Sequence, residues 1–291
     1  MIIRRLIPSL LLFLFAGLSL HCSSSKDPAE EDDLLPPPIA GWTLVWNDEF
    51  DAANIDEAKW GFEVNATGGG NNELQYYTAR KENAFLEDGK LVIEALKESY
   101  TGPEGTRAYT SARLRTLNKG DWKYGRFDIR ARLPFGQGIW PAIWMLPTDW
   151  VYGGWAASGE IDIMELVGHD PETVHGTLHY GGAWPNNKSS GTSFKLSQGN
   201  FAGDFHTFTL EWEEGVFRWY MDGALYQTQT TWSTEGAAFP APFNQRFHLL
   251  LNVAVGGNWP GSPDATTAFP QRMEVDYVRV YTRSETAVGR L

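Results

Sequence analysis

The strongest constraint in this chain is its rhythm. From Gly41 onward, apolar and polar residues alternate in short runs separated by turn residues. A period of two sends successive side chains to opposite faces of a half-buried strand. It predicts strands over 43–46, 90–95, 112–116, 125–133, 139–146, 159–165, 173–179, 206–213, 216–221, 246–255 and 273–281. Turn chemistry lies between them at Glu87-Asp88-Gly89, Met221-Asp222-Gly223 and Gly256-Gly257-Asn258. Asp222-Gly223, flanked by aromatic runs, is a hairpin signal because both residues tolerate positive φ. One short helix is expected at 56–60, and no long repeat is visible. Many short strands with regular turns imply an all-β protein, a two-sheet β-sandwich or jelly roll.

The first forty residues differ in kind. Arg4 and Arg5 precede an apolar run over 6–20 that ends at Cys22, the single cysteine of the chain. The run is short for a membrane span and has the layout of an export signal. With Ser23-Ser24-Ser25 following, it resembles a bacterial lipoprotein signal, in which Cys22 is acylated and residues 1–21 are removed. The departure from that pattern is His21, where a small residue is usual. Residues 22–40, rich in Ser, Pro and acids and ending in Pro36-Pro37-Pro38, read as a flexible tether. The folded domain is expected over 41–284, with a tail at 285–291. The expected location is therefore the bacterial envelope or cell surface, with the membrane contacted only through the lipid, or otherwise the exterior.

A net charge of −12 argues against a nucleic-acid partner, since phosphate binding needs a basic surface. One cysteine excludes a disulfide framework and a multi-cysteine zinc site. The 13 Trp, 11 Tyr and 16 Phe suit flat neutral ligands, for which sugars are the obvious candidates.

The chemistry concentrates in Ser158-Gly159-Glu160-Ile161-Asp162-Ile163-Met164-Glu165. Strand alternation places Glu160 and Asp162 on one face and would bury Glu165 on the other, where an uncompensated charge is costly. A β-bulge at Ile163-Met164 adds one residue and returns Glu165 to the face of the other two. Glu160 and Glu165 are then about four strand steps apart, roughly 13 Å between Cα atoms. On a concave sheet their carboxyls can approach the ~5–5.5 Å of retaining glycosidases. Carboxyls that close cannot all ionise freely, so the row supplies both an acid and a nucleophile. A solvated strand face and a cation site are the alternatives that spacing leaves open.

The hexapeptide Glu160-Ile161-Asp162-Ile163-Met164-Glu165 resembles the signature of glycoside hydrolase family 16, in the bulged form of its laminarinase and agarase branch. Further similar segments follow in the family's order. They are Trp46-Asn47-Asp48-Glu49-Phe50, Asn71-Asn72-Glu73-Leu74-Gln75-Tyr76-Tyr77-Thr78 and Thr110-Ser111-Ala112-Arg113-Leu114-Arg115-Thr116. Gly138-Ile139-Trp140-Pro141-Ala142-Ile143-Trp144-Met145-Leu146, His175-Gly176-Thr177-Leu178-His179-Tyr180, the segment 251–261 and Val275-Asp276-Tyr277-Val278-Arg279-Val280-Tyr281 complete the set. The resemblance covers about 42–282 and implies a jelly roll whose concave sheet forms a glycan cleft. It implies endo-hydrolysis of β-1,3-glucan of laminarin type with retention, by double displacement and without a catalytic cofactor. Glu160 would be the nucleophile, Glu165 the acid and then base, and Asp162 would tune the pair.

The same resemblance gives site roles to other residues. Trp140 and Trp144, four apart on one strand face, become platforms for glucose rings rather than core tryptophans. Trp259 is a further stacking residue, with Trp122, Trp150 and Trp155 as weaker ones. Asn72, Arg113 and Asn252 would hydrogen-bond sugar hydroxyls, and His179 would orient an acid or touch substrate. Glu73 would face the cleft or pair with an arginine, and Gly68-Gly69-Gly70 would let a loop pass close to the glycan. A structural Ca²⁺ is implied at Glu49, Gly89 and Asp276, whose hard oxygens suit it. The protein is expected to act as a monomer. Hydrolysis of mixed-linkage β-1,3-1,4-glucan or galactan, and non-catalytic glucan binding, are the alternative readings.

Overall fold

The structure, a computed structural model, describes residues 36–284. Contacts divide the chain into two units, Met1–Pro38 and Ile39–Leu291, and the strands lie in the second. Cys22, the signal segment and most of the tether lie outside the described residues.

The strands in chain order are β1 (Trp42–Asp48), β2 (Gly61–Glu63), β3 (Gln75–Tyr77), β4 (Ala84–Glu87), β5 (Lys90–Ala95), β6 (Tyr100–Gly102) and β7 (Gly105–Arg107). Then come β8 (Tyr109–Ser111), β9 (Arg113–Arg115), β10 (Asp121–Trp122), β11 (Gly125–Arg132), β12 (Ile139–Pro147), β13 (Glu160–Glu165) and β14 (Thr173–Gly181). The last six are β15 (Asn187–Lys195), β16 (His206–Glu213), β17 (Val216–Met221), β18 (Ala224–Gln229), β19 (Phe247–Val255) and β20 (Gln271–Arg283).

Two eight-stranded antiparallel sheets hold most of them. The back sheet runs β18-β17-β16-β11-β20-β5-β4, with β1 also on β20; the cleft sheet runs β15-β14-β13-β12-β19-β9-β2, with β10 also on β19. The chain passes from β11 to the cleft sheet for four strands, returns for three, then crosses twice more through β19 and β20. Such crossing between two stacked sheets is the jelly-roll arrangement read from the sequence.

Alternation explains the core. In β17 the residues Phe217, Trp219 and Met221 point inward, while Val216, Arg218 and Tyr220 do not. They meet Ile161, Ile163 and Leu178 of the cleft sheet in one cluster. In β19 every residue is buried, with Leu249, Leu251, Val253 and Val255 in the core and His248, Leu250, Asn252 and Ala254 on the opposite side. A strand so placed lies under the cleft floor, where its outward residues are covered as well.

The helix expected at 56–60 is a single turn instead. The Lys59 and Trp60 amides donate to the Asp56 carbonyl, and the Asp56 carboxylate accepts from the Ala58 amide. Trp60 is drawn into the core against Phe50 and Trp46, so the local helical signal yields to that packing.

Candidate active site

The bulge expected in β13 is present. On one flank Trp144 faces Asp162 while Ile143 faces Met164, leaving Ile163 unmatched. On the other flank Asp162 faces Thr177 and Glu165 faces His175, so Ile163 and Met164 stand opposite Gly176 alone. Two residues against one shift the alternation by a step. Ile161, Ile163 and Met164 are buried, and Glu160, Asp162 and Glu165 line one cleft of about 720 Å³.

Each carboxylate has a defined neighbour. The Trp155 indole N–H donates to Glu160 Oε2 at 2.8 Å, and that of Trp140 donates to Glu165 Oε1 at 3.1 Å. Asp162, only 2% exposed, has no hydrogen-bond donor on Oδ2; His179 Nε2 lies 3.3 Å from that atom and 3.8 Å from Glu160 Oε1. His179 reaches this place because it stands directly opposite Glu160 in the β13–β14 pairing. Its ring also lies 5.7 Å from that of Trp155.

Burial pushes Glu160 up to about 8, with Asp162 and Glu165 adding to the shift and His179 and the Trp155 N–H opposing it. Burial alone pushes Asp162 up to about 8. Glu165 rises to about 8 through burial and then the Asp162 charge, against the opposing effects of His179 and Trp140. The three titrate as one set, and the cluster therefore keeps protons at neutral pH.

One side of the floor is a closed polar network. The Trp144 indole donates to Asn252 Oδ1 at 2.7 Å, and Asn252 Nδ2 donates to the Tyr77 hydroxyl at 3.2 Å. Arg113 Nη2 donates to the same hydroxyl at 3.2 Å, and that hydroxyl donates to Glu73 Oε2 at 3.2 Å. Burial pushes the Tyr77 phenol far up, which keeps it a donor. Arg113 is also paired with Glu63 at 3.3 Å and Glu73 at 3.6 Å, and its guanidinium lies over the Tyr77 and Trp144 rings. Arg113 Nε is buried without a partner in the cleft wall.

Trp140, Trp144, Arg113 and Asn252 thus line the cleft with the carboxylates, as do Trp150 and Trp155. Trp259 stands edge-on to Trp140 at 5.6 Å and to His175 at 5.0 Å. Glu73 does both things expected of it, facing the cleft and pairing with Arg113. Gly69 and Gly70 line the cleft, and a Cβ on Gly69 would overlap the Glu73 carboxylate. Two expectations need correction. Asn72 turns away to donate to Asn258 Oδ1 at 2.8 Å, tying two rim loops together while its neighbour Asn71 faces the cleft. Trp122 packs between Trp46 and Phe127, away from the cleft.

Both carboxylates of the expected calcium site carry an arginine. Glu49 is held by both nitrogens of the Arg279 fork at 3.0 and 2.8 Å, and Arg130 holds Asp276 at 2.6 Å. Burial raises Glu49, but the Arg279 and Asn47 hydrogen bonds and the Arg279 and Lys59 charges together hold it below the usual carboxylate range. A guanidinium thus stands beside the side-chain oxygens of both Glu49 and Asp276. Among the described residues, the one grouping of three metal-ligating side chains is Glu160, Asp162 and His179, within 4.8 Å of one another.

Sequence reading missed Glu63 and Trp184. Glu63 sits on a three-residue strand too short to show alternation, where it pairs with both Arg113 and Arg115. Trp184 lines the cleft yet is 75% exposed, in the loop after β14. Its sequence signal was a tryptophan among Gly, Pro and Asn, where no core is being built.

Known proteins with this arrangement decide the family. The profile of glycosyl hydrolases family 16 matches residues 71–279. The chain belongs to glycosyl hydrolase family 16. It is 44% identical over 278 residues to glucan endo-1,3-beta-glucosidase A1 of Niallia circulans, spanning 88% of this chain but 41% of that protein. It is 44% identical over 279 residues to a beta-glucanase of Rhodothermus marinus, spanning 93% and 92%. The catalytic domain of an endo-1,3-beta-glucanase (laminarinase) from Thermotoga petrophila RKU-1 superposes with a TM-score of 0.76 at 46% identity, covering 84% of this chain and 99% of that one. This family 16 chain is therefore a retaining glycoside hydrolase.

Proposed function

We propose that this chain cuts β-1,3-linked glucan of laminarin type at internal bonds, with retention of configuration, acting as a monomer. The observation that carries the reading is the bulged strand, which brings Glu160, Asp162 and Glu165 into one aromatic cleft. Relatives named endo-1,3-β-glucanase and laminarinase support the choice of linkage.

Glu160 attacks the anomeric carbon as its carboxylate while the glycosidic C–O bond breaks. The departing oxygen takes the Glu165 proton, leaving a glycosyl ester on Glu160. Glu165, now ionised, removes a proton from water, whose oxygen attacks the same carbon and releases Glu160. The Trp155 N–H and His179 favour the ionised form of Glu160. Asp162 raises both Glu160 and Glu165, so its charge helps keep a proton in the pair for the acid step. Trp140 and Trp144 offer flat faces to glucose rings. Both roles belong to carboxyl groups, so the steps need no cofactor.

The test is digestion of laminarin, mixed-linkage β-glucan and agarose, reading reducing ends and product sizes. Short oligosaccharides released fastest from laminarin are the expected result. Glu160→Gln and Glu165→Gln should each lower turnover by about 10²–10⁴-fold while laminarin still binds. Folded parent protein that is retained on insoluble glucan but cuts nothing would convert the reading to a binding module.

The chain is further proposed to be exported and held at the cell surface by acylated Cys22, with residues 22–40 as the tether. Metabolic incorporation of a fatty-acid analogue, abolished in Cys22→Ser, tests this. Labelling that persists in the variant would refute it.

A further inference from the structure

The carboxylate row depends on a bulge, and a bulge interrupts the hydrogen-bond ladder that would otherwise fix its backbone. Two side chains from the opposite sheet reach this spot. Trp219 of β17, with no solvent exposure, crosses the core and donates its indole N–H to the Asp162 carbonyl at 2.9 Å. Gln227 of β18, also buried, donates its amide to the Gly176 carbonyl at 3.3 Å. Asp162 is the last residue in register before the bulge, and Gly176 is the single residue opposite it. Trp219 and Gln227 are themselves direct cross-strand partners in the β17–β18 hairpin. One rung of the back sheet thus touches both strands of the bulged pair at the bulge itself.

The space at Gly176 fits the same arrangement. A Cβ there would come within 2.7 Å of Trp219 Cδ1, 2.8 Å of Trp219 Nε1 and 2.7 Å of the Tyr226 hydroxyl. Any side chain at 176 would push the indole off the Asp162 carbonyl. The residue lies opposite the bulge with ordinary backbone angles, so close approach, not φ, explains glycine here.

We propose that Trp219 and Gln227 are positioning residues that clamp the bulge from behind and thereby set the aim of Glu165 relative to Glu160. Neither touches substrate. Their effect is on where the acid stands, and a displacement of about 1 Å at a reacting group costs on the order of 10²-fold in rate. The inference rests on the roles given to Glu160 and Glu165 above.

The experiment compares Trp219→Phe, Gln227→Leu and Gly176→Ala with a control, Phe217→Leu, which trims the core packing beside Trp219 but removes no hydrogen bond to the bulge. Steady-state kinetics on laminarin are measured well below the unfolding temperature, with near-UV circular dichroism to establish folding. The clamp predicts kcat lower by about 10–100-fold, KM within about threefold, and a displaced pH–rate profile in the three clamp variants. Phe217→Leu should keep kcat within about twofold and leave the profile in place. Clamp variants with parental kcat and pH profile would overturn the inference, as would an equal kcat loss in Phe217→Leu. If one variant does not fold, the other two decide by the same criteria. An inactive parent would instead remove the functional reading on which the inference rests.

Discussion

At the residue scale, the site stores charge that folding would rather not bury. Asp162 is raised in the folded state, so its contribution to stability is full below the unfolded carboxyl pKa near 4. It is lost as pH climbs through about 8. Asp162→Asn removes that loss. The variant should gain stability over the parent as pH rises from 5 to 9, by at least ~1.4 kcal/mol, the equivalent of one pKa unit. Denaturant melts at the two pH values measure it, and a constant difference would mean that Asp162 is not raised. Trp184 carries a second prediction. A ring 75% exposed at the cleft rim contributes little to folding, so Trp184→Ala should leave the melting temperature within about 2 °C. It should raise KM on long laminarin severalfold while sparing the shortest oligosaccharides cut. Equal loss on short and long chains would place its effect nearer the reacting bond. Alternation put Trp140 and Trp144 on one face and, with the bulge, the carboxylates on one face; the family resemblance made those faces a cleft. Asn72 was not legible, because its side chain is claimed by Asn258, a partner 186 residues away that no local pattern reveals. The arginines on Glu49 and Asp276 were hidden for the same reason, lying 230 and 146 residues away in sequence.

At the element scale, the bulge in β13 is the decisive object. Counting residues from Glu160 to Glu165 was enough to require it, since strict alternation over six residues would turn Glu165 toward Ile161 and Ile163 in the core. Deleting Met164 should remove the bulge and leave Glu160, Asp162 and Glu165 alternating on the cleft face, with Glu165 drawn about one strand step closer to Glu160. We expect the variant to fold, because no charge is forced into the core, and kcat to fall by about 10²-fold or more as the acid is displaced. A stability loss of about 3 kcal/mol or more would show instead that the deletion buries the carboxylate. Strands with one buried face were readable, and β5, β16 and β17 have the bounds expected of them. β15 was not, because Asn-Lys-Ser-Ser-Gly-Thr-Ser-Phe-Lys is mostly exposed and its pairing comes from β14 alone. The short β2, β3 and β6–β8 escape for another reason: two or three residues cannot display a period.

At the scale of the whole molecule, the sandwich explains why distant segments make one site. The cleft sheet orders β13, β12, β19, β9 and β2 side by side, although β2 and β13 are about a hundred residues apart in sequence. A glycan crossing those strands meets Glu160 and Glu165, then Trp144, Asn252, Arg113 and Glu63 in turn. The fold class followed from strand rhythm and turn chemistry. The order of strands did not, because register between remote segments is a tertiary property that alternation does not carry. The back sheet completes the arrangement by closing the core and by reaching the bulge through Trp219 and Gln227.

The central claim is that Glu160 is the nucleophile of a retaining β-1,3-glucanase. A laminaribiosyl substrate carrying fluorine at C2 and a good leaving group slows breakdown of the glycosyl ester, so the adduct can be located by peptide mass spectrometry. The account predicts a stoichiometric label on Glu160 that turns over when a glucan acceptor is added. A label on Glu165 or Asp162 would contradict it.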